Sequence, residues 1–315
     1  MKRDRRLELL VGYTCNNNCM FCYVAAEREK FKDKTTSELK KDMLAARKRG
    51  TTELAFLGGE PTIRPDLLEL VRFAVDNGFE HIKVTTNGRM MSYPAFVDSI
   101  VLAGITKVLF SFHSSKGEIH DKLTRVEGSF RQLMQAVSNV KRHPQVAIET
   151  NSTITKHNHT GLPDMARLFI SLGMLSSEFI FVFPFGNSLK NFHDIVPSYK
   201  ESARFMVEAL EIGATSKTKV LMRYVPFCIL PNHIGYIAEL YDPPEREQVG
   251  PGFETLDVIK MRKTVDRAQL DKCNACKFTL VCEGPWKIYP RFMGSDEFNP
   301  IDGQKVIDVG ELRQW

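Results

Sequence analysis

Apolar residues return along the first two-thirds of the chain in two alternating rhythms. Short apolar runs read as buried strands, and stretches with apolar residues three and four apart read as amphipathic helices. Strands are predicted over residues 7–12, 53–57, 81–85, 107–112, 146–153 and 179–183, and helices over 37–49, 66–77, 95–103, 130–140, 163–172 and 199–212. In the first helix Leu39, Met43 and Ala46 mark one face, with Gly50 as its stop. Repeated strand–helix units demand a parallel sheet with right-handed crossovers. Six units fall short of a closed eight-fold barrel, which takes about 250 residues. The predicted fold class is therefore α/β, a partial (β/α)6 TIM-like barrel with chain to spare.

The rhythm stops near residue 215. Beyond it Pro226, Pro231, Pro243, Pro244, Pro251 and Gly252 break up the chain. The predicted division is a barrel core over 1–215 and a loop-rich, cysteine-rich extension over 216–315, too poor in regular core to stand without a metal staple. Composition changes little: with 315 residues, 43% hydrophobic and 26% charged, the chain is of ordinary globular type. A net charge of +5 is too small to argue for nucleic acid. The longest apolar runs, 19–26 and 179–183, are far short of a membrane span. The start, Met1–Lys2–Arg3–Asp4–Arg5–Arg6, has the charge of a signal peptide, but Glu8 interrupts the Leu7–Leu10 segment behind it. A cytoplasmic protein without membrane contact is expected.

Cysteine does change the picture. The seven stand at 15, 19, 22, 228, 273, 276 and 282. An odd, clustered set without an export signal points to metal rather than disulfides. Cys15, Cys19 and Cys22 follow the first strand as Cys-x3-Cys-x2-Cys, and three thiolates leave one vertex of a tetrahedral site open. For zinc that is catalytic geometry, and for a four-iron cluster it leaves one iron free for a small molecule. With Phe21 before the last cysteine, this run resembles the hallmark of the radical S-adenosylmethionine superfamily. The resemblance implies that the three cysteines hold a [4Fe–4S] cluster whose unique iron chelates S-adenosylmethionine, with Phe21 beside the adenine. Gly58–Gly59–Glu60–Pro61, ending the second strand, resembles the family segment that contacts the methionine amino group; by itself it is also an ordinary strand–turn–helix link with Pro61 near the helix start. By the same resemblance Ser111 lies where relatives bind ribose and carboxylate. Thr85–Gly88, Asn151, His113 and Phe183–Phe185, at other strand ends, serve equally well as turn, core or cofactor contacts.

Cys228, Cys273, Cys276 and Cys282 complete a second set, which suits either an all-cysteine zinc site or a fully ligated iron–sulfur cluster. The tail resembles the shortened SPASM extension called a twitch domain, whose Cys-x2-Cys-x5-Cys and following glycine are matched by Cys273, Cys276, Cys282 and Gly284, with Glu283 intervening. The resemblance implies an auxiliary [4Fe–4S] cluster used for electron transfer or support, and an electron donor such as flavodoxin or ferredoxin. The activity implied is reductive cleavage of S-adenosylmethionine to a 5′-deoxyadenosyl radical that takes hydrogen from its substrate. An oxidative modification or cross-link of a ribosomally made peptide is the expected outcome. Only fourteen residues precede Cys15, so a peptide would arrive without a winged-helix-like domain, brought by a partner protein. The alternatives are dehydrogenation or rearrangement of a small molecule in cofactor or natural-product biosynthesis, or a non-catalytic iron–sulfur or zinc scaffold.

Overall fold

The computed structural model describes residues 5–243 and 245–314. The basic start at 1–4 and Pro244 among the tail prolines lie outside the described residues. Parallel strands with helices packed outside them make an α/β partial barrel. In chain order the strands are β1 Arg5–Leu10, β2 Glu53–Leu57, β3 His81–Thr86, β4 Lys107–Ser111, β5 Ala147–Ile154, β6 Ser176–Phe181, β7 Lys219–Arg223, β8 Glu245–Gly250 and β9 Phe253–Thr255. They form one sheet in the order β7-β6-β5-β4-β3-β2-β1-β8-β9, parallel except for the β8–β9 hairpin. The helices are α1 Thr36–Lys48, α2 Leu67–Asp76, α3 Pro94–Ala103, α4 Gly117–Thr124, α5 Ser129–Val140, α6 Leu162–Ser171, the single turns α7 Asn187–Lys190 and α8 Phe192–Ile195, α9 Tyr199–Ala214, and the short α10 Val258–Met261 and α11 Tyr289–Met293.

The six predicted units all form, most within one to three residues of their expected bounds. α1 starts on a reciprocal cap in which the Glu38 N–H donates to Thr35 Oγ1 (3.3 Å) and the Thr35 N–H to Glu38 Oε2 (2.8 Å). α3 stops at Gly104, whose φ of 112° a side chain would resist. The strands meet the helices through Phe56, Phe110, Phe179 and Phe181, with Phe112 just after β4 and Phe169 of α6, all fully buried. Each such ring contributes about 1.5–3 kcal/mol by leaving water.

The inward faces are charged, and this is where the strands outrun the prediction. Glu8 on β1, Lys83 on β3, Glu149 on β5, Glu178 on β6, Arg223 on β7 and Arg246 on β8 bond to one another across the barrel interior. Such strands alternate polar with apolar instead of reading as continuous apolar runs. β6 therefore begins at Ser176 rather than 179, and β7 and β8 escape a search for apolar runs.

Residues beyond 215 supply β7 at one edge of the sheet and β8 and β9 at the other. Among the described residues no strand pairing joins the two sides of the sheet; an ion network spans them. Asp242 receives Arg223 of β7 (3.0 Å), Arg246 of β8 (3.3 Å) and Arg262 (3.0 Å). These three guanidiniums hold its carboxyl at about 2 although burial pushes it up. Each arginine keeps a further carboxylate: Glu178 (2.6 Å), Glu8 (2.7 Å) and Glu283 (2.7 Å). No helix of the described residues is long and apolar enough to cross a membrane.

Candidate active site at the barrel mouth

The C-terminal ends of parallel barrel strands carry the side chains that the fold leaves free for chemistry. β1 runs out into Gly12 and the cysteine loop, and β2 into Gly58–Gly59–Glu60–Pro61. The two loops are zipped backbone to backbone: the Gly59 N–H donates to Gly12 O (2.8 Å) and the Glu60 N–H to Thr14 O (2.9 Å). A Cβ on Gly58 (φ 123°) would strike Gly12 O, and one on Gly59 would strike Thr14 O. The glycine pair is thus required by the close approach of these loops.

Glu60 is buried, and its carboxylate ties β2 to β3. Oε1 accepts from the Thr62 N–H (3.1 Å), Thr62 Oγ1 (2.5 Å) and Thr86 Oγ1 (2.7 Å), while Oε2 accepts from the Asn87 N–H (2.7 Å). Burial raises its pKa and these donors oppose the rise. Oε2 keeps acceptor capacity for an ammonium group. Pro61 opens the turn Pro61–Ile63, where a missing N–H costs nothing. Glu60 also lines a cavity of about 340 Å³ with Gly12, Thr14, Asp33 and Arg64.

The cysteine loop is held from outside by residues that, Asn87 of the Thr85–Gly88 strand end apart, sequence reasoning missed. The Asn18 and Met20 N–H groups donate to Thr124 O (3.2 Å) and Leu123 O (2.9 Å) at the end of α4. Asn87 Nδ2 donates to Asn16 Oδ1 (2.7 Å), Arg89 Nη1 to Asn17 Oδ1 (3.2 Å), Asn187 Nδ2 to Cys19 O (3.0 Å) and Ser188 Oγ to Phe21 O (2.9 Å). All lie far from the loop in sequence, so no local signal marks them. Burial pushes the Cys15, Cys19 and Cys22 thiols up, and the Arg28 guanidinium opposes this at each, donating to Cys22 Sγ (3.8 Å). Buried thiols of this kind ionise when a metal cation is present to hold the thiolates, so the donor set fits a metal cluster.

Phe21 meets the His113 ring edge-on (4.6 Å). Burial and neighbouring His120 hold His113 well below 6.5 and therefore neutral, and its Nδ1 accepts from the Thr153 N–H (3.4 Å). The proton consequently sits on Nε2. Ser111 at the end of β4 lies opposite Asn151 of β5, and both are half-buried. Phe183 packs between Tyr23 (5.8 Å) and Trp286 (4.4 Å), with Phe185 stacked on it (5.5 Å).

In the tail, Cys228, Cys273, Cys276 and Cys282 line one cavity with Phe227, Phe278 and Phe298. Burial pushes Cys228 up to about 12, the other three cysteines adding to the shift. Backbone N–H groups already point at sulfur, Gly284 at Cys282 Sγ and Ile301 at Cys276 Sγ, both 3.4 Å. Gly284 (φ 73°) is needed because a Cβ there would strike Ala268 O. Among the described residues no three His, Cys, Asp or Glu side chains gather tightly enough for one metal ion. The four thiols face this one cavity together.

Three comparisons bear on this geometry. A family model described as the Radical SAM superfamily matches residues 9–169. An AdoMet-dependent heme synthase of Methanosarcina barkeri is 25% identical over 88% of this chain and 89% of that protein. A probable GTP 3′,8-cyclase of Saccharolobus solfataricus is 26% identical over 75% of this chain and 74% of that protein. Among solved structures, Streptococcus suis SuiB bound to precursor peptide SuiA has a TM-score of 0.68 at 15% identity, covering 96% of this chain and 76% of that one. The FeFe-hydrogenase maturase HydG from Carboxydothermus hydrogenoformans has a TM-score of 0.56 at 16% identity, over 73% and 56%.

Proposed function

The chain belongs to the radical SAM superfamily, and on that premise we propose that it removes hydrogen from a ribosomally made peptide, leaving it oxidised or cross-linked. The observation that carries this reading is the presence of two cysteine groups in one chain: three in the loop that follows β1 and four lining one cavity in the tail. Cys15, Cys19 and Cys22 would hold a [4Fe–4S] cluster, which with S-adenosylmethionine would supply the one-electron chemistry for removing a hydrogen atom.

The chain's own residues bind and orient. Glu60 Oε2, fixed by Asn87, is placed to accept from the cofactor's ammonium group. Phe21 offers a ring edge, and neutral His113 a single N–H, to the nucleoside. Ser111 and Asn151 provide polar contacts on neighbouring strands. Four thiols lining one cavity would hold an auxiliary [4Fe–4S] cluster, with a single zinc ion as the alternative, and a closed set of four suits electron acceptance rather than substrate ligation. An electron donor such as flavodoxin or ferredoxin would reduce the first cluster. The peptide reading draws on the fold likeness to SuiB, which covers nearly the whole chain.

A second reading, dehydrogenation or rearrangement of a small molecule, is favoured by the heme synthase and GTP cyclase relatives, which span most of the chain. The test is anaerobic reconstitution with dithionite and S-adenosylmethionine, assayed for 5′-deoxyadenosine. Mass spectrometry then follows peptides encoded beside the gene for loss of hydrogen. 5′-Deoxyadenosine with no change in any such peptide favours the small molecule; none from cluster-loaded protein overturns both readings.

A further inference from the structure

We propose that Trp286, with Arg267 stacked on it, conducts the electron from the barrel mouth to the four-cysteine site. This rests on the proposal that the four cysteines hold an auxiliary cluster.

The path is built of contacts. Tyr23, next to Cys22, lines the mouth and is 41% exposed. Its ring lies 5.8 Å from Phe183, and Phe183 lies 4.4 Å from Trp286. The Arg267 guanidinium sits 4.9 Å over the indole, and its Nε donates to Gly284 O (2.7 Å). The Gly284 N–H in turn reaches Cys282 Sγ (3.4 Å). Tunnelling decays exponentially with distance and less steeply through bonds and packed rings than through water. A run of ring contacts ending in covalent and hydrogen bonds couples the two ends far better than the open mouth would.

Two features single out the indole. Trp286 is 2% exposed and its Nε1–H has no partner. An unmet buried donor is destabilising, and a phenyl ring would fill the space without that cost. Arg267 is equally buried, and its positive charge beside Cys282 favours the reduced, more negative form of a cluster, as do N–H groups aimed at sulfur.

The electron balance closes. The 5′-deoxyadenosyl radical takes one hydrogen atom, the resulting substrate radical gives one electron through Phe183 and Trp286, and the cluster at the four thiolates is reduced by one. The substrate then loses a proton to water, for a net loss of two hydrogens.

The test needs no substrate. Reconstituted protein is reduced with dithionite, desalted and mixed with S-adenosylmethionine, and both cluster signals are followed by rapid-freeze EPR. In the unmodified protein the auxiliary signal should decay after the first, as its electron returns along the path. In Trp286→Leu that second decay should slow by an order of magnitude or more, with Trp286→Phe between. In a redox titration, Trp286→Leu should leave the auxiliary midpoint in place, Arg267→Gln should move it to more negative potential, and Arg267→Lys should restore it. Unchanged decay in Trp286→Leu with about eight irons bound per chain overturns the relay alone, as does an auxiliary signal that never responds in the unmodified protein. Iron near four with no second signal overturns the auxiliary-cluster reading and the relay together.

Discussion

Asp242→Asn tests how the open sheet is held shut. The Asp242 carboxylate is almost wholly buried and joins Arg223 on the edge strand β7 to Arg246 on β8, the strand next to the opposite edge. A carboxyl held at about 2 instead of 3.8 stabilises the folded state by about 2 kcal/mol once ionised. Removing one partner of a buried ion pair typically costs about 3–5 kcal/mol. Here Arg223, Arg246 and Arg262 each retain another carboxylate, so a loss of about 2–4 kcal/mol is expected. Because the folded pKa is depressed, the contribution is complete above the unfolded value near 3.8 and disappears as pH falls toward 2. Between pH 5 and 8 the deficit should therefore be flat. Urea denaturation of holoprotein at several pH values measures it, with Asp98→Asn as control. Asp98 is half-exposed, and losing its pair with Arg142 should cost under about 1 kcal/mol. A deficit below about 0.5 kcal/mol, or one that grows through pH 6–7, would refute the closure argument.

Three further outcomes are expected. Cys15→Ala, Cys19→Ala or Cys22→Ala should each abolish 5′-deoxyadenosine formation; turnover in all three would sink the site assignment. Gly58→Ala, at a φ that L side chains resist and against Gly12 O, should lose about 2 kcal/mol or more in urea titration and loosen the cysteine loop. The His113 imidazole should show no titration between pH 6 and 8 by NMR, since burial keeps it neutral well below its usual 6.5.

Local order was open to a sequence reader wherever one face of an element alone sets the pattern. The helix stops at Gly50, Gly78, Gly104 and Gly173 all have positive φ, because a Cβ in that region is strained in any context. Ser176–Glu178 and the whole of β8 were not legible. Their polar residues face a charged interior that exists only once the strands curl together. α4 also passed unseen, although its end holds the cysteine loop.

The chain's order of residues by itself determined the alternation of strand and helix, the three-cysteine run and the Gly58–Pro61 turn. In each, the partners lie within a few residues and chain geometry suffices to bring them close. Only tertiary structure decided that Cys228 shares a cavity with Cys273, Cys276 and Cys282, that Asp242 bridges the sheet's edges, and that Tyr23, Phe183 and Trp286 touch. Contacts between residues tens to hundreds of positions apart depend on how the whole sheet curves, and no local spacing encodes that curvature.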